Sequence, residues 1–146
     1  MGAVEAVAAA GGGTWEFYRD ERGRAVVRME IHRAGASEHE RAMILAELKH
    51  LMRAALDGGL VPHLDLKHIA RDPLIYELRL DLGADGVTPR RLYRLYFAWH
   101  RHGGPLRLAL KFGGKPLGPD GHDIQNTHID EASARYRSWL ARHAAG

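Results

Sequence analysis

Arg79, Arg94, Arg107 and Lys111 fall at alternating positions of three apolar runs, with Lys67 and His68 just upstream, Lys115 just downstream and Tyr96 among them. Cations spread over several strands suit a phosphodiester backbone, because each phosphate neutralised adds roughly 0.7 to the salt slope of single-strand binding. A guanidinium also matches the pentacovalent state of RNA cleavage, in which charge grows on the non-bridging oxygens. RNA can be cut without a metal, since its 2′-hydroxyl can attack the adjacent phosphate; the reaction then needs a base, an acid and a charge clamp. The clamp is plain in these residues. For the base, Tyr96, His68, His122 and His128 are all candidates. Structural roles compete with these: Arg79 can pair with Glu77 or Asp81 for roughly 0–1 kcal/mol, and Tyr96 can pack across strands instead of stacking on a base.

Other chemistries lack their motifs. His100 and His102 are two apart, His63 and His68 five apart, and His122 and His128 flank a loop; none has a helical zinc spacing, so no metal is expected. Gly113-Gly114-Lys115 lacks the upstream glycine and the following Ser or Thr of a nucleotide-binding loop. A serine hydrolase elbow is absent, and the Gly-rich start has no preceding strand to make a dinucleotide fingerprint. With no cysteine, disulfides, thiolate zinc sites and a cysteine nucleophile are excluded, and the composition fits a reducing, cytoplasmic setting.

The elements that must position the cations are strands. Residues 74–81, 91–99 and 106–112 alternate. Tyr76, Leu78, Leu80, Tyr93, Leu95, Phe97, Trp99, Leu106, Leu108, Leu110 and Phe112 form one apolar face; Glu77, Arg79, Asp81, Leu92, Arg94, Tyr96, Ala98, Arg107, Ala109 and Lys111 form the other. Turn-rich links at 83–89 and 102–105 join the runs into an antiparallel meander, and the pattern is that of a sheet covered on one side only. A large apolar side chain left in water forgoes roughly 1.5–3 kcal/mol, so helices must cover the apolar face.

Residues 37–57 are the natural cover. Ser37 is an N-cap with Glu40 in capping-box position, Ala42, Leu45, Leu48, Met52 and Leu56 recur at helical spacing, and Gly58-Gly59 ends the run. Residues 14–19 read as a short first strand, turned by 20–24. Residues 25–34 are ambiguous: Val27, Met29 and Ile31 alternate as on a strand, which the local pattern favours, while Val27 and Ile31 are also four apart. A connector at 61–72 holds Leu66-Lys67-His68-Ile69. After a loop at 116–121, Asp123, Asn126 or Thr127 caps a last helix reaching about residue 142, with Ile129, Ala132, Tyr136, Trp139 and Leu140 as its stripe. Trp99 and Trp139 are expected in the core.

The chain of 146 residues, 45% apolar and 27% charged, is long enough for one domain with a real core. That domain is expected at 14–146, after an Ala- and Gly-rich leader at 1–13 read as disordered. A net charge of +3 permits a nucleic-acid partner without demanding one. No apolar run reaches the length of a membrane span, so no membrane partner is expected.

Taken in order, Trp15-Glu16-Phe17-Tyr18, Arg22-Gly23-Arg24, Leu66-Lys67-His68-Ile69, Tyr76-Glu77-Leu78-Arg79, Tyr93-Arg94-Leu95-Tyr96, Lys111-Phe112-Gly113-Gly114-Lys115 and Ile129-Asp130-Glu131-Ala132 before Arg135 resemble the RelE/ParE toxin superfamily, in particular its phage-derived HigB-like branch. The resemblance runs from about residue 14 to 142. It implies a compact α+β fold: a mixed, mostly antiparallel twisted sheet of about four strands, two N-terminal helices, the first at 25–34, and one C-terminal helix, with helices on one side of the sheet. It also implies the toxin of a type II toxin–antitoxin system, cytoplasmic and free of cofactors. Its partners would be the 70S ribosome, mRNA and a cognate antitoxin of the helix-turn-helix, DNA-binding kind. Many relatives are mRNA interferases, ribosome-dependent endoribonucleases that inhibit translation; the ParE side of the superfamily inhibits DNA gyrase, and a non-catalytic member would bind only RNA or its antitoxin. By resemblance Arg94 is the phosphate-clamping arginine, Arg79 a basic position on the preceding strand, Lys67 and His68 the Lys-His pair before that strand, and Lys115 one of two lysines after the strand-ending phenylalanine. Arg94, Arg79, Lys115 and His68 are thus the expected catalytic residues, and Lys67, Arg79, Arg94, Tyr96, Arg107 and Lys111 the expected RNA-binding set. Departures from the family pattern are Gly114 at the second lysine, Glu77 where some members are basic, no evident histidine near the last strand, and a longer link before the last helix.

Overall fold

The three alternating runs form a meander that is extended at both edges. In the computed structural model, which describes residues 13–58, 66–83, 90–100 and 104–144, the order is β1 (Thr14–Phe17), α1 (Val26–Ala34), α2 (Glu38–Asp57), β2 (Leu66–His68), β3 (Ile75–Leu82), β4 (Arg91–Trp99), β5 (Leu106–Lys115) and α3 (Gly121–His143). The sheet order is β1-β5-β4-β3-β2. β2 to β5 pair antiparallel in sequence order, and β1 joins the far edge parallel to β5. This is the expected α+β class, with two helices before the meander and one after it. The sheet has five strands because three connector residues, Leu66–His68, pair with β3. Residues 1–12 of the expected leader lie outside the described residues.

Local chemistry accounts for the helices. At the start of α2, Ser37 Oγ accepts the Glu40 N–H at 3.1 Å. At its end Gly58 adopts φ 76°, where an L side chain would be strained, and donates its N–H to the Ala54 carbonyl. Residues 26–34 are a helix, against their alternation. Val27 and Ile31, one turn apart, are both buried, whereas Met29 is exposed. α3 starts at Gly121, ahead of the expected caps, and Asp120 makes no side-chain cap bond. A Cβ on Gly121 would meet the Pro116 carbonyl oxygen at 2.5 Å, so glycine permits this tight entry. The link before the last helix is therefore only residues 116–120.

The structure departs from the expected layout in three ways. Tyr96 pairs with Lys111 but Phe97 pairs with Ala109, so Leu110 is an extra residue on β5. Because side chains alternate with period two, this bulge exchanges faces on either side of itself. Arg107 consequently lies on the face opposite Lys111. The second departure is the cover. Apolar Tyr93, Leu95, Phe97 and Phe112 meet α1 and α2; Tyr93 Oη bonds Glu40 and the Ala34 carbonyl, and Trp15 Nε1 donates to the Met52 carbonyl at 2.9 Å. The other face, carrying Glu77, Arg94 and Tyr96, is not open to water but lies under α3: Gln125 bonds Glu77, and Trp139 Nε1 donates to Glu16 at 2.7 Å. The third departure concerns α2, whose buried residues are Ile44, Leu48, Leu51 and Ala55. The predicted stripe is rotated, and Leu45 stands 41% exposed.

β1 pairs only as far as Ala109, which leaves the β5 edge open beyond it. Side chains close it. Glu30 of α1 accepts the Phe112 N–H at 3.2 Å, and Arg135 of α3 donates to the Leu110 carbonyl at 2.8 Å. Arg135 also forks onto both oxygens of Glu30, at 3.0 and 2.8 Å. One ion pair thereby joins α1 to α3 around an unpaired edge.

Candidate functional site

The antiparallel register lays the polar face out in rows. Lys111, Tyr96, Glu77 and Lys67 stand opposite one another across β5, β4, β3 and β2. The next row is Gly113, Arg94 and Arg79, and the row after it Lys115, Leu92 and Asp81. Of the residues expected from sequence, Arg79, Arg94, Tyr96, Lys111 and Lys115 therefore share a face. Arg107 does not join them; its guanidinium sits 5.2 Å over the Trp99 ring on the other face, at the far end of β5. β2 brings His68 opposite Tyr76 and Lys67 opposite Glu77, but the side chains of both lie outside the described part of the structure.

Glu77 is the hub of this face. Its Oε1 lies 3.8 Å from Nε of both Arg94 and Arg79, and its Oε2 accepts from Gln125 Nε2 at 2.8 Å. Arg94 is 2% exposed. Its Nη1 donates to the Tyr93 carbonyl at 3.0 Å, while its buried Nε has no hydrogen-bond partner among the described residues. Burial lowers its pKa and Glu77 opposes that shift, but a guanidinium stays charged across the physiological range. Arg79, at the margin, keeps about a third of its side chain in solvent, 32%.

Tyr96 is fully buried, and its hydroxyl has no hydrogen-bond partner among the described residues. Burial first, then the Glu77 carboxylate, push its pKa far up, and Gln125 and Arg94 only partly offset them. The phenol keeps its proton at neutral pH, so it is a potential donor and is not poised as a base. His128 of α3 fills the space beside it, with ring centroids 6.3 Å apart. A Cβ on Gly113 would come within 2.5 Å of His128 Cε1, so the missing side chain of Gly113 makes room for the imidazole. Burial, and then Lys111, lower the His128 pKa from 6.5, leaving a neutral ring able to accept a proton. His122, by contrast, is exposed in the first turn of α3.

Lys111 is committed elsewhere, to Glu30 at 2.9 Å and Glu131 at 2.8 Å. Burial works to raise the Glu30 pKa, but hydrogen bonds from Arg135 and Lys111, the Arg135 charge and the Phe112 amide together hold it below the usual range. Lys111 is thus a structural cation, not one open to a ligand. Lys115 borders a cleft of about 560 Å³ that also takes in Arg90, Arg91, Tyr93 and Glu40. Here Arg90 pairs with Asp81 at 2.9 Å, and Tyr93, raised to about 12 by burial and then by Glu40, donates to the Glu40 carboxylate.

Sequence reasoning gave no role to Gln125 and Glu30, and met Arg135 only as part of the family pattern. For Gln125 there is a signal: it precedes Ile129 by four, so it lies on the buried stripe of α3 where a polar residue needs a partner. Glu30 and Arg135 carry none, because their pairing spans 105 residues. Among the described residues, no three His, Asp or Glu side chains converge as metal ligands, and no helix is long and apolar enough to cross a membrane. Comparison with protein-family models, with curated proteins and with solved structures finds no match for this chain.

Proposed function

We propose that the chain is a type II toxin of RelE/HigB-like kind that cuts mRNA on the ribosome through the Arg94 face. The observation that supports this reading most is the convergence of two guanidiniums, Arg94 and Arg79, with a protonated phenol and a neutral imidazole, Tyr96 and His128, on one face of the sheet. The two guanidiniums and the imidazole each have a use in phosphodiester transfer. The RNA 2′-oxygen bonds to phosphorus as its proton passes to His128, and the bond from phosphorus to the 5′-oxygen breaks. The leaving oxygen takes a proton, for which Lys115 is the candidate donor. The products are a 2′,3′-cyclic phosphate and a 5′-hydroxyl, and Arg94 and Arg79 balance the charge gathering on the non-bridging oxygens.

This face is closed by the first turns of α3. In the reading proposed here Gln125 must leave Glu77, and Glu77 must yield the guanidiniums, before RNA reaches Arg94. The ribosome is the partner that would supply the compensating contacts, and a helix-turn-helix antitoxin the partner that restrains the toxin. The same closure favours a second reading, a toxin-fold protein that binds RNA or its antitoxin without cutting.

The two are separated by mapping mRNA 5′ ends in a bacterial host minutes after induction. New ends within translated codons, absent from untranslated RNA and lost in Arg79→Ala, support the nuclease. Growth arrest without such ends moves the target to gyrase or another machine. No arrest leaves the binding protein.

A further inference from the structure

α2 carries more apolar side chain than the sheet consumes. Ile44, Leu48, Leu51 and Ala55 face the sheet, which leaves Leu45, Met52 and Leu56 along an adjacent strip. With Trp15 and Phe17 as floor, they line a groove of about 750 Å³ between α1, α2 and β1. The floor is held in place: Trp15 Nε1 is anchored on the Met52 carbonyl at 2.9 Å, and the Trp15 ring packs edge-on against Phe97 at 5.0 Å. The rim is basic. Arg28 lies 4.8 Å over the Phe17 ring, His32 follows it on α1, and Lys49 and Arg53 project from α2. Among the described residues, none that lines the groove is acidic.

We propose that this groove receives an amphipathic helix of a partner protein, aliphatic on the side that enters and acidic along its flanks. The length argues for a helix: from Leu45 to Leu56 the strip runs roughly 16 Å, three turns' worth of i, i+3, i+4 and i+7 anchors. The rim argues for acid, since its charges are all of one sign and a complementary partner is favoured over a neutral one. A second copy of this chain would bring a net charge of +3 and the same basic rim, so like charges oppose self-pairing through the groove. The groove lies on the opposite face of the sheet from Arg94, and the proposal stands whether or not the chain cuts RNA.

The test uses the full-length protein and a displayed library of helical peptides about 20 residues long. Selected peptides are expected to carry aliphatic residues at helical spacing flanked by Asp and Glu. Their affinity should fall about tenfold or more for Leu45→Asp and for the double variant Lys49→Glu/Arg53→Glu. Thermal unfolding of these surface variants should stay unchanged. Peptides with Lys in place of the acids should recover binding to the double variant only. The proposal is overturned if nothing is enriched, if enriched peptides are neutral or basic, or if the variants bind them as wild type does. It is also overturned, in favour of a second copy, if sedimentation shows a dimer that Leu45→Asp dissociates.

Discussion

Arg94 Nε and Glu77 Oε1 stand 3.8 Å apart, with both side chains almost sealed from solvent. Taking two charges out of water is costly, so such a pair is weak evidence of net stabilisation; breaking it is another matter. Arg94→Ala should destabilise the protein by about 3 kcal/mol, the low end for a broken buried pair, because Glu77 keeps Arg79 and Gln125. Glu77→Gln/Arg94→Met should cost less than the sum of the single changes. Urea unfolding of the four proteins checks this, and strict additivity would contradict it.

The Glu30 hub predicts a pH dependence. The Glu30 pKa is depressed below 4.5, so its stabilisation is fully present above that value and is lost as pH falls through the folded pKa. Glu30→Gln should therefore be roughly 2–4 kcal/mol less stable at neutral pH. The gap between variant and wild type should narrow on acidification below 4.5. Parallel denaturation series at several pH values measure it; a gap that stays constant would mean Glu30 contributes by packing, not charge.

Gly113 and His128 should be energetically coupled. A Cβ at Gly113 meets the imidazole, so Gly113→Ala should cost about 1–3 kcal/mol as an overpacked site. In a His128→Ala background the same change should fall below about 0.5 kcal/mol. A double-mutant cycle reads this directly. If His128 is the base, the acid limb of the cleavage profile should lie below 6.5, since burial and Lys111 favour the neutral ring.

Arg107 separates the two faces. Arg107→Met keeps a buried side chain of similar length beside Trp99. It should leave cleavage untouched, whereas Arg79→Ala, a change at a residue about a third exposed, should abolish cleavage with the fold intact.

Several features are written locally and could be read from sequence. Ser37, Glu40 and Gly58 bracket α2, and the alternation of β3 and β4 is unbroken. What could not be read depends on distant partners. One inserted residue, Leu110, carries Arg107 to the other face, and no local pattern marks it. Residues 26–34 alternate like a strand, but one buried i, i+4 pair and the distant Glu30–Arg135 bond hold them helical. The stripe of α3 was evident, but not that it would lie over Arg94 and Tyr96. A cluster of cations on a sheet reads as an open binding face until the helix that covers it is placed.

The most direct measurement is cleavage of end-labelled mRNA on purified 70S ribosomes by the purified protein, with Arg94→Lys and Arg79→Ala alongside. Arg94→Lys keeps the charge but loses the planar fork with which a guanidinium can span two phosphate oxygens. The account predicts wild-type cuts within codons in the ribosomal A site, ends bearing a 2′,3′-cyclic phosphate, and a loss of about a hundredfold or more in either folded variant. Wild type that leaves ribosome-bound mRNA whole, or variants that cut it at the wild-type rate, would contradict the assignment of this face.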